Sequence, residues 1–184
     1  MTTRRILAAY RALSPAQRHE GGLWFWRAHC LAREIADETS VPVDHVCGVI
    51  ARLSPATEWG HNVDVARSVC AAIEPDHYRG YGPNLTRAKL IVAEGWSVPP
   101  SGPKISAFYD NLLRPHESQE VTIDRHILRW GQLPIDKPPH NAYYERLARP
   151  WRRAAKIADV LPHQLQASIW ESVRAPTNLS TVPF

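Results

Sequence analysis

The stretch Pro103-Lys104-Ile105-Ser106-Ala107-Phe108-Tyr109-Asp110-Asn111-Leu112-Leu113 decides the fold class. Its apolar residues keep the three- and four-residue spacing of one helix face: Ile105, Phe108, Tyr109, Leu112 and Leu113. The segment from Pro83 to Gly95 shows the same spacing, and a Pro- and Gly-rich turn at 98–103 joins the two. The sequence therefore predicts a helix–turn–helix hairpin over about 83–113.

The rest of the chain repeats this helical spacing between its sixteen prolines and nine glycines. Ser14-Pro15-Ala16-Gln17 combines an N-cap, a proline in the first turn and a capping-box glutamine, and predicts a helix to about Glu38. Gly21-Gly22 is expected to bend the start of this helix. Further helices are predicted at about 41–53, 58–73, 124–131, 141–160 and 162–174. We therefore expect one all-α domain over residues 1–184, in which the helices of about 141–174 come last.

Composition narrows the class of protein. The chain has 184 residues, of which 44% are hydrophobic and 22% charged, as in an average globular domain. It has no apolar run of membrane-spanning length and no apolar signal segment, so we expect a cytoplasmic protein without a membrane partner. Cys30, Cys47 and Cys70 are expected to be buried, reduced thiols. Neither they nor His61 and His126 have the spacing of metal ligands, so no metal or iron–sulfur cofactor is predicted.

The positive charge is concentrated in one part of the chain. Lys and Arg number 22 and Asp and Glu 18, which gives a net charge of +4. From Gly102 to Lys156 there are ten basic and six acidic residues, so this window alone carries +4. A polyanion such as nucleic acid would bind such a surface, but a solvated basic face without a partner has the same composition. Both interpretations stay open.

Three segments in a fixed order carry a resemblance: Leu53-Ser54-Pro55-Ala56-Thr57-Glu58-Trp59 with Asn62, then Gly102-Pro103-Lys104, then Val121-Thr122-Ile123-Asp124-Arg125-His126-Ile127. Together they resemble the helix-hairpin-helix (HhH-GPD) DNA glycosylase superfamily over about Val46 to Leu133. The resemblance implies a two-lobed helical domain with a central cleft and double-stranded DNA as its partner.

The resemblance also implies which residues react. Asp124 is similar to the catalytic aspartate of the family, and Lys104 to the lysine of members that also cut the DNA backbone. A carboxylate stabilises the positive charge that develops on the sugar, and a neutral amine can attack the sugar C1′. As alternatives, Asp124 is only a helix N-cap, and Lys104 is a helix-start lysine that contacts phosphate or solvent.

Further residues are assigned within the same resemblance. DNA or phosphate contacts are assigned to Ser101, Gly102, Arg125, Arg129 and Arg79. A pocket for the base is assigned to Ser54, Thr57, Trp59, Asn62, Tyr78, Tyr81 and His126. For Tyr78 and Tyr81, ordinary surface packing is the alternative to stacking on an extruded base. The turn Pro100-Ser101-Gly102 keeps only the second glycine of the family hairpin, which weakens the expected grip on DNA.

Three functions remain open. The first is a DNA N-glycosylase, with or without lyase activity, that acts on a damaged or modified base. The second follows from a similarity to small phage-encoded relatives, the α-glutamyl/putrescinyl thymine pyrophosphorylases: a small amine co-substrate displaces pyrophosphate from a modified thymine. There Lys104, Arg125 and Arg129 hold the pyrophosphate and Asp124 accepts a proton. The third is a DNA-binding module without chemistry. We expect a monomer in each case.

Overall fold

A computed structural model describes residues 1–75, 77–78, 80, 82–95, 102–135 and 140–174. All regular secondary structure in these residues is helical, which confirms the all-α class. The helices found there are α1 (Thr3–Ala12), α2 (Pro15–Gly22), α3 (Trp24–Thr39), α4 (Val43–Leu53), α5 (Trp59–Cys70), α6 (Gly82–Glu94), α7 (Pro103–Leu113), α8 (Arg125–Trp130), α9 (Asn141–Ala158) and α10 (Pro162–Arg174).

The chain forms two compact units. Met1–Trp26 and Gly102–Phe184 make up the first, called the terminal unit here, and Arg27–Ser101 make up the second, called the central unit. The terminal unit contains α1, α2 and α7 to α10, and the central unit contains α4 to α6. The chain passes from one unit to the other within α3.

The core of the terminal unit forms around the apolar face of α9. This face buries Tyr144, Leu147, Ala148, Trp151, Ala154 and Ala155. Ile6 and Leu7 of α1 belong to the same core, as do Leu165 and Ile169 of α10. No helix was predicted from the sequence at Thr3–Ala12, so α1 is a helix that only the structure shows. It begins after Thr2, whose hydroxyl accepts a hydrogen bond from the Arg5 N–H.

The predicted helix from Ser14 to Glu38 is divided into two. Its start is confirmed, because Ser14 and Gln17 form the complete capping box. The break lies at Leu23, whose N–H is shared between the carbonyls of His19 and Glu20. Just before it, the backbone of Gly21 lies against α10: a Cβ there would come within 2.3 Å of the Ser168 Cα. Gly21 therefore allows two helices to pack closer than any side chain permits.

The central unit is built around α4, whose residues from Val46 to Leu53 are all buried. It packs against α5 and α6. Cys47 and Cys70 are buried free thiols whose pKa burial raises to about 12, whereas Cys30 is only partly buried, contrary to expectation. Of the helices described in either unit, none has both the length and the apolar character needed to cross a bilayer.

Candidate functional site

The segment Val121–Ile123 leads into the predicted reaction centre and is buried, and no strand among the described residues pairs with it. Side chains take the place of that strand. The Tyr144 hydroxyl accepts a hydrogen bond from the Ile123 N–H at 2.9 Å and donates one to the Val121 carbonyl at 2.7 Å. Gln166 binds the backbone of Thr122 twice: its Oε1 accepts from the N–H at 3.0 Å and its Nε2 donates to the carbonyl. The backbone before Asp124 is thus fixed from α9 and α10.

A second layer of polar groups supports this segment. Asn111 of α7 donates to the Thr122 hydroxyl at 3.2 Å and accepts from the Ser118 hydroxyl at 2.7 Å. The buried ring of His163 lies between two carbonyls, with Nδ1 3.2 Å from Ser118 O and Nε2 3.0 Å from Pro115 O. Burial lowers the His163 pKa and outweighs the two carbonyls, which raise it. These contacts hold the 115–123 loop against the helices.

Asp124 is the N-cap of α8, as one alternative predicted. Its Oδ1 accepts a hydrogen bond from the Ile127 N–H at 2.9 Å, and its backbone is extended. The residue is partly exposed. Within the described part of the chain, no hydrogen-bond donor reaches the other carboxylate oxygen. One oxygen therefore caps the helix, and the second accepts no hydrogen bond from the described residues.

Lys104 lies in the first turn of α7 and interacts electrostatically with Asp124. Burial lowers the pKa of the Lys104 ammonium below its ordinary value, because the charged form loses water. The Asp124 carboxylate opposes this shift, and the Arg125 guanidinium adds to it. Lys104, Asp124 and Arg125, which the sequence singled out, thus interact electrostatically in the structure. Burial increases the fraction of neutral Lys104 amine relative to a lysine in water.

A group of aromatic rings in the terminal unit includes residues that follow Asp124 and Lys104 closely in the sequence. His126, two positions after Asp124, faces Trp170 with ring centroids 6.4 Å apart. Trp24 then lies 5.5 Å from Trp170 and 6.2 Å from Phe108, which follows Lys104 by one helical turn. We call Trp24, Phe108, His126 and Trp170 the aromatic cluster. Of its members, the sequence analysis selected only His126; the position of Phe108 one turn after Lys104 was the available signal.

The predicted phosphate contacts fall into two groups. Arg125 and Arg129 are exposed on α8, one turn apart; Arg125 directly follows Asp124, and Arg129 lies in the last turn of the helix. Gly102 precedes α7 at φ 112°, a left-handed conformation that glycine adopts readily, and no side chain caps the helix there. The predicted residues Ser101, Arg79 and Tyr81 lie outside the described residues, as does the turn of the hairpin at 96–101.

Most of the predicted base pocket belongs to the central unit, where its polar groups bind the end of α4. The Ser54 hydroxyl donates to the Ala51 carbonyl at 2.9 Å. Asn62, only 1% exposed, donates to the Ile50 carbonyl at 3.1 Å. The last carbonyls of a helix lack partners within the helix, so these contacts stabilise α4 directly.

Other predicted pocket residues of this unit also interact with neighbouring groups of the protein. The Thr57 hydroxyl donates to the Pro55 carbonyl at 3.3 Å, and Trp59 begins α5 with its side chain partly exposed. Burial raises the pKa of Tyr78, while the neighbouring Thr57 and Asn84 side chains lower it. Sequence reasoning missed Arg52, which is fully buried in this unit and whose pKa burial lowers. The sequence pattern places Arg52 in an apolar helix but does not indicate that its side chain is buried.

Comparisons with known proteins give a family but no activity. Within the residues that the structure describes, no three His, Cys, Asp or Glu side chains are grouped to hold a metal ion. No curated protein and no solved structure matches the chain. Residues 1–177 match a family described as "Family of unknown function (DUF7178)", and the chain belongs to that family.

Proposed function

We propose that this protein is an enzyme that excises a base from double-stranded DNA and uses Lys104 as its nucleophile, which makes it a glycosylase with lyase activity. One observation carries the proposal: the lysine with a lowered pKa interacts with a partly exposed aspartate that has one carboxylate oxygen free of described donors. A surface lysine is protonated at neutral pH and cannot attack carbon. Burial makes this obstacle smaller for Lys104, because it lowers the pKa of the ammonium and so raises the fraction of neutral amine.

The two residues divide the reaction between them. The unprotonated Nζ of Lys104 attacks the sugar C1′, and the bond from C1′ to the base breaks as the C1′–Nζ bond forms. The base leaves with the bonding electrons and takes up a proton. The Asp124 carboxylate stabilises the positive charge on the sugar and accepts the proton released by the attacking amine. Cleavage of the C1′–O4′ bond, with transfer of the released proton to O4′, opens the sugar ring and gives a Schiff base. Loss of a C2′ proton to water then expels the 3′ phosphate, and hydrolysis releases the lysine.

The aromatic cluster supports the proposal from the side of recognition. Enzymes that act on a base take it out of the stack and hold it against aromatic rings. His126 and Phe108 place aromatic rings within two residues of Asp124 and one helical turn of Lys104. His126 and Trp170 are the partly exposed members of the aromatic cluster and are the rings that a flat ligand beside Asp124 would meet, whereas Trp24 and Phe108 are buried.

A second candidate is the displacement of pyrophosphate from a modified thymine by a small amine. The observation that favours it is the pair Arg125 and Arg129, exposed one turn apart on α8, the helix that Asp124 caps. Guanidinium groups bind phosphate oxygens in pairs of hydrogen bonds, so this pair suits pyrophosphate, a leaving group with several negative charges. In that reaction Asp124 takes a proton from the amine. The lowered pKa of Lys104 favours the first candidate, because a nucleophile needs the neutral form whereas a pyrophosphate contact needs the cation.

The test is borohydride trapping on duplex DNA that carries damaged, mismatched, hydroxymethylated or pyrophosphorylated pyrimidines, with and without a small amine, followed by mass analysis of the protein and the nucleosides. Wild-type protein should give a covalent protein–DNA adduct and a free base. Lys104→Gln should lose the adduct, and Asp124→Asn should lose turnover while it keeps the helix cap, because asparagine caps as well as aspartate. Lys89→Gln is the matched control, since Lys89 is an exposed lysine paired with Glu74.

Each result decides between the candidates. An adduct that survives Lys104→Gln, or turnover that survives Asp124→Asn, would refute the assigned roles. An altered base that remains attached, formed only with an amine and a pyrophosphorylated substrate, would establish the second candidate. Retention of DNA by all variants with no product from any substrate would leave a binding module without chemistry.

A further inference from the structure

A row of cations runs along the exposed side of α9. Arg146, Arg149, Arg153 and Lys156 are all exposed, at intervals of three, four and three residues. At 3.6 residues per turn these positions fall within an arc of about 80° and extend over about 15 Å. No acidic residue of α9 lies in that arc. We call these four residues the α9 stripe.

The cations of the α9 stripe are not used by the fold. The ion pairs found among the described residues involve none of them, whereas Arg152, on the neighbouring side of α9, pairs with both Glu120 and Glu145. Arg152 is thus the cation of α9 that Glu120 and Glu145 engage. The Arg146 guanidinium lies over the Tyr143 ring, 5.0 Å from its centroid, which restricts its orientation. The four cations therefore share one side of α9, and none of them is in an ion pair found among the described residues.

We propose that the α9 stripe binds the phosphate backbone of duplex DNA, and the choice of DNA as the partner rests on the proposed function. A DNA strand presents a negative charge at regular short intervals, about 3.4 Å along the axis for each nucleotide. A straight stripe of about 15 Å matches about four to five such intervals. This surface supplies the affinity that the incomplete hairpin glycine pattern leaves unexplained.

A lipid surface fits α9 less well. A helix that lies in a membrane interface inserts apolar side chains next to its cations. The apolar face of α9 is already buried in the core, where Trp151 is fully inaccessible, and Ile157 is its exposed large apolar side chain. The cations of the stripe can bind charge, but α9 offers little else to a bilayer.

The experiment compares two triple variants that lose the same charge. Arg149→Gln/Arg153→Gln/Lys156→Gln removes three cations of the stripe, and Arg67→Gln/Lys89→Gln/Arg114→Gln removes three exposed cations that the structure pairs with acids. Binding of the full chain to an unmodified duplex of about 20 base pairs is followed by fluorescence anisotropy between about 50 and 200 mM salt. Circular dichroism checks that both variants keep their helix content.

Each phosphate contact contributes about 0.9 to the slope of log affinity against log salt, so three contacts contribute about 2.7. The slope of the stripe variant should therefore be smaller by about 2.7. Over the fourfold rise in salt, the affinity of the wild type should then fall by a factor about 40 times larger than that of the stripe variant. The control variant should keep the wild-type slope.

Four results would overturn the inference: equal slopes in the two variants, no binding of the duplex by wild type at the lowest salt, a wild-type slope in the stripe variant, or stripe-dependent binding to phosphatidylserine vesicles instead of DNA. The proposed function fails separately. If the stripe variant shows the expected loss while borohydride trapping finds no product, the stripe stands as a binding surface and the chemistry falls. If trapping succeeds and the salt slopes of the two variants are unchanged, the chemistry stands and the stripe is not the DNA-binding surface.

Discussion

Tyr144→Phe removes one oxygen atom and with it both hydrogen bonds that tie Val121 and Ile123 to α9. Tyr144 is 3% exposed, and both backbone groups are buried, so water does not replace the hydroxyl easily. An unpaired buried polar group costs about 1–3 kcal/mol. With two such groups, and some recovery from the more apolar ring, we expect the free energy of unfolding to fall by about 2–4 kcal/mol. For a chain of this size that lowers Tm by roughly 4–16 °C.

The assay is urea denaturation followed by circular dichroism, with the midpoint compared at constant m-value. Tyr143→Phe is the matched control, because Tyr143 is the preceding residue of the same helix and its side chain is only partly buried. It should change the free energy of unfolding by less than about 0.5 kcal/mol. If the two variants were equally stable, the hydroxyl of Tyr144 would not hold the 121–123 segment. A reduced turnover in Tyr144→Phe under conditions where it remains folded would further show that this segment positions Asp124.

Three other substitutions test single contacts. Asp124→Ala should lower the free energy of unfolding by about 1 kcal/mol through loss of the α8 cap, whereas Asp124→Asn should not, and equal thermal shifts would exclude capping as the cause. Gly21→Ala should cost about 1–3 kcal/mol because its Cβ would meet the Ser168 backbone, while Gly22→Ala, with open space around it, should be neutral or slightly stabilising by the same urea assay. Lys104→Met should stabilise the protein at neutral pH, since the folded chain no longer buries a charge. Because the folded pKa lies below the unfolded value of 10.5, this gain should shrink as pH rises through that interval; a gain independent of pH in paired unfolding curves would contradict the assigned desolvation.

Sequence spacing predicted most helices because the signals are local. The capping box at Ser14 and Gln17 and the start of α8 after Asp124 each depend on residues within one turn. α1 was missed for the opposite reason. Its buried contribution is Ile6 and Leu7, too short a pattern to identify a helix without the α9 surface against which it packs.

The division of the predicted 14–38 helix shows the same limit. Gly21-Gly22 indicated a bend, but only the approach of the Ser168 backbone explains why Gly21 in particular has no side chain. The candidate site divides in the same way. Residue types singled out Lys104 and Asp124, whereas Tyr144 and Gln166 gave no signal, because their hydrogen bonds join residues 21 and 44 positions apart.

By itself the sequence determined the helical class, the caps and the residue types able to carry chemistry, because these depend on neighbours a few positions away. Tertiary structure alone decided which of those residues meet and in what state. The lowered pKa of Lys104 comes from burial and from a carboxylate 20 positions later, and the support of the Asp124 backbone comes from α9 and α10. Desolvation and hydrogen bonding act between groups close in space, and folding brings those groups together irrespective of their order in the chain.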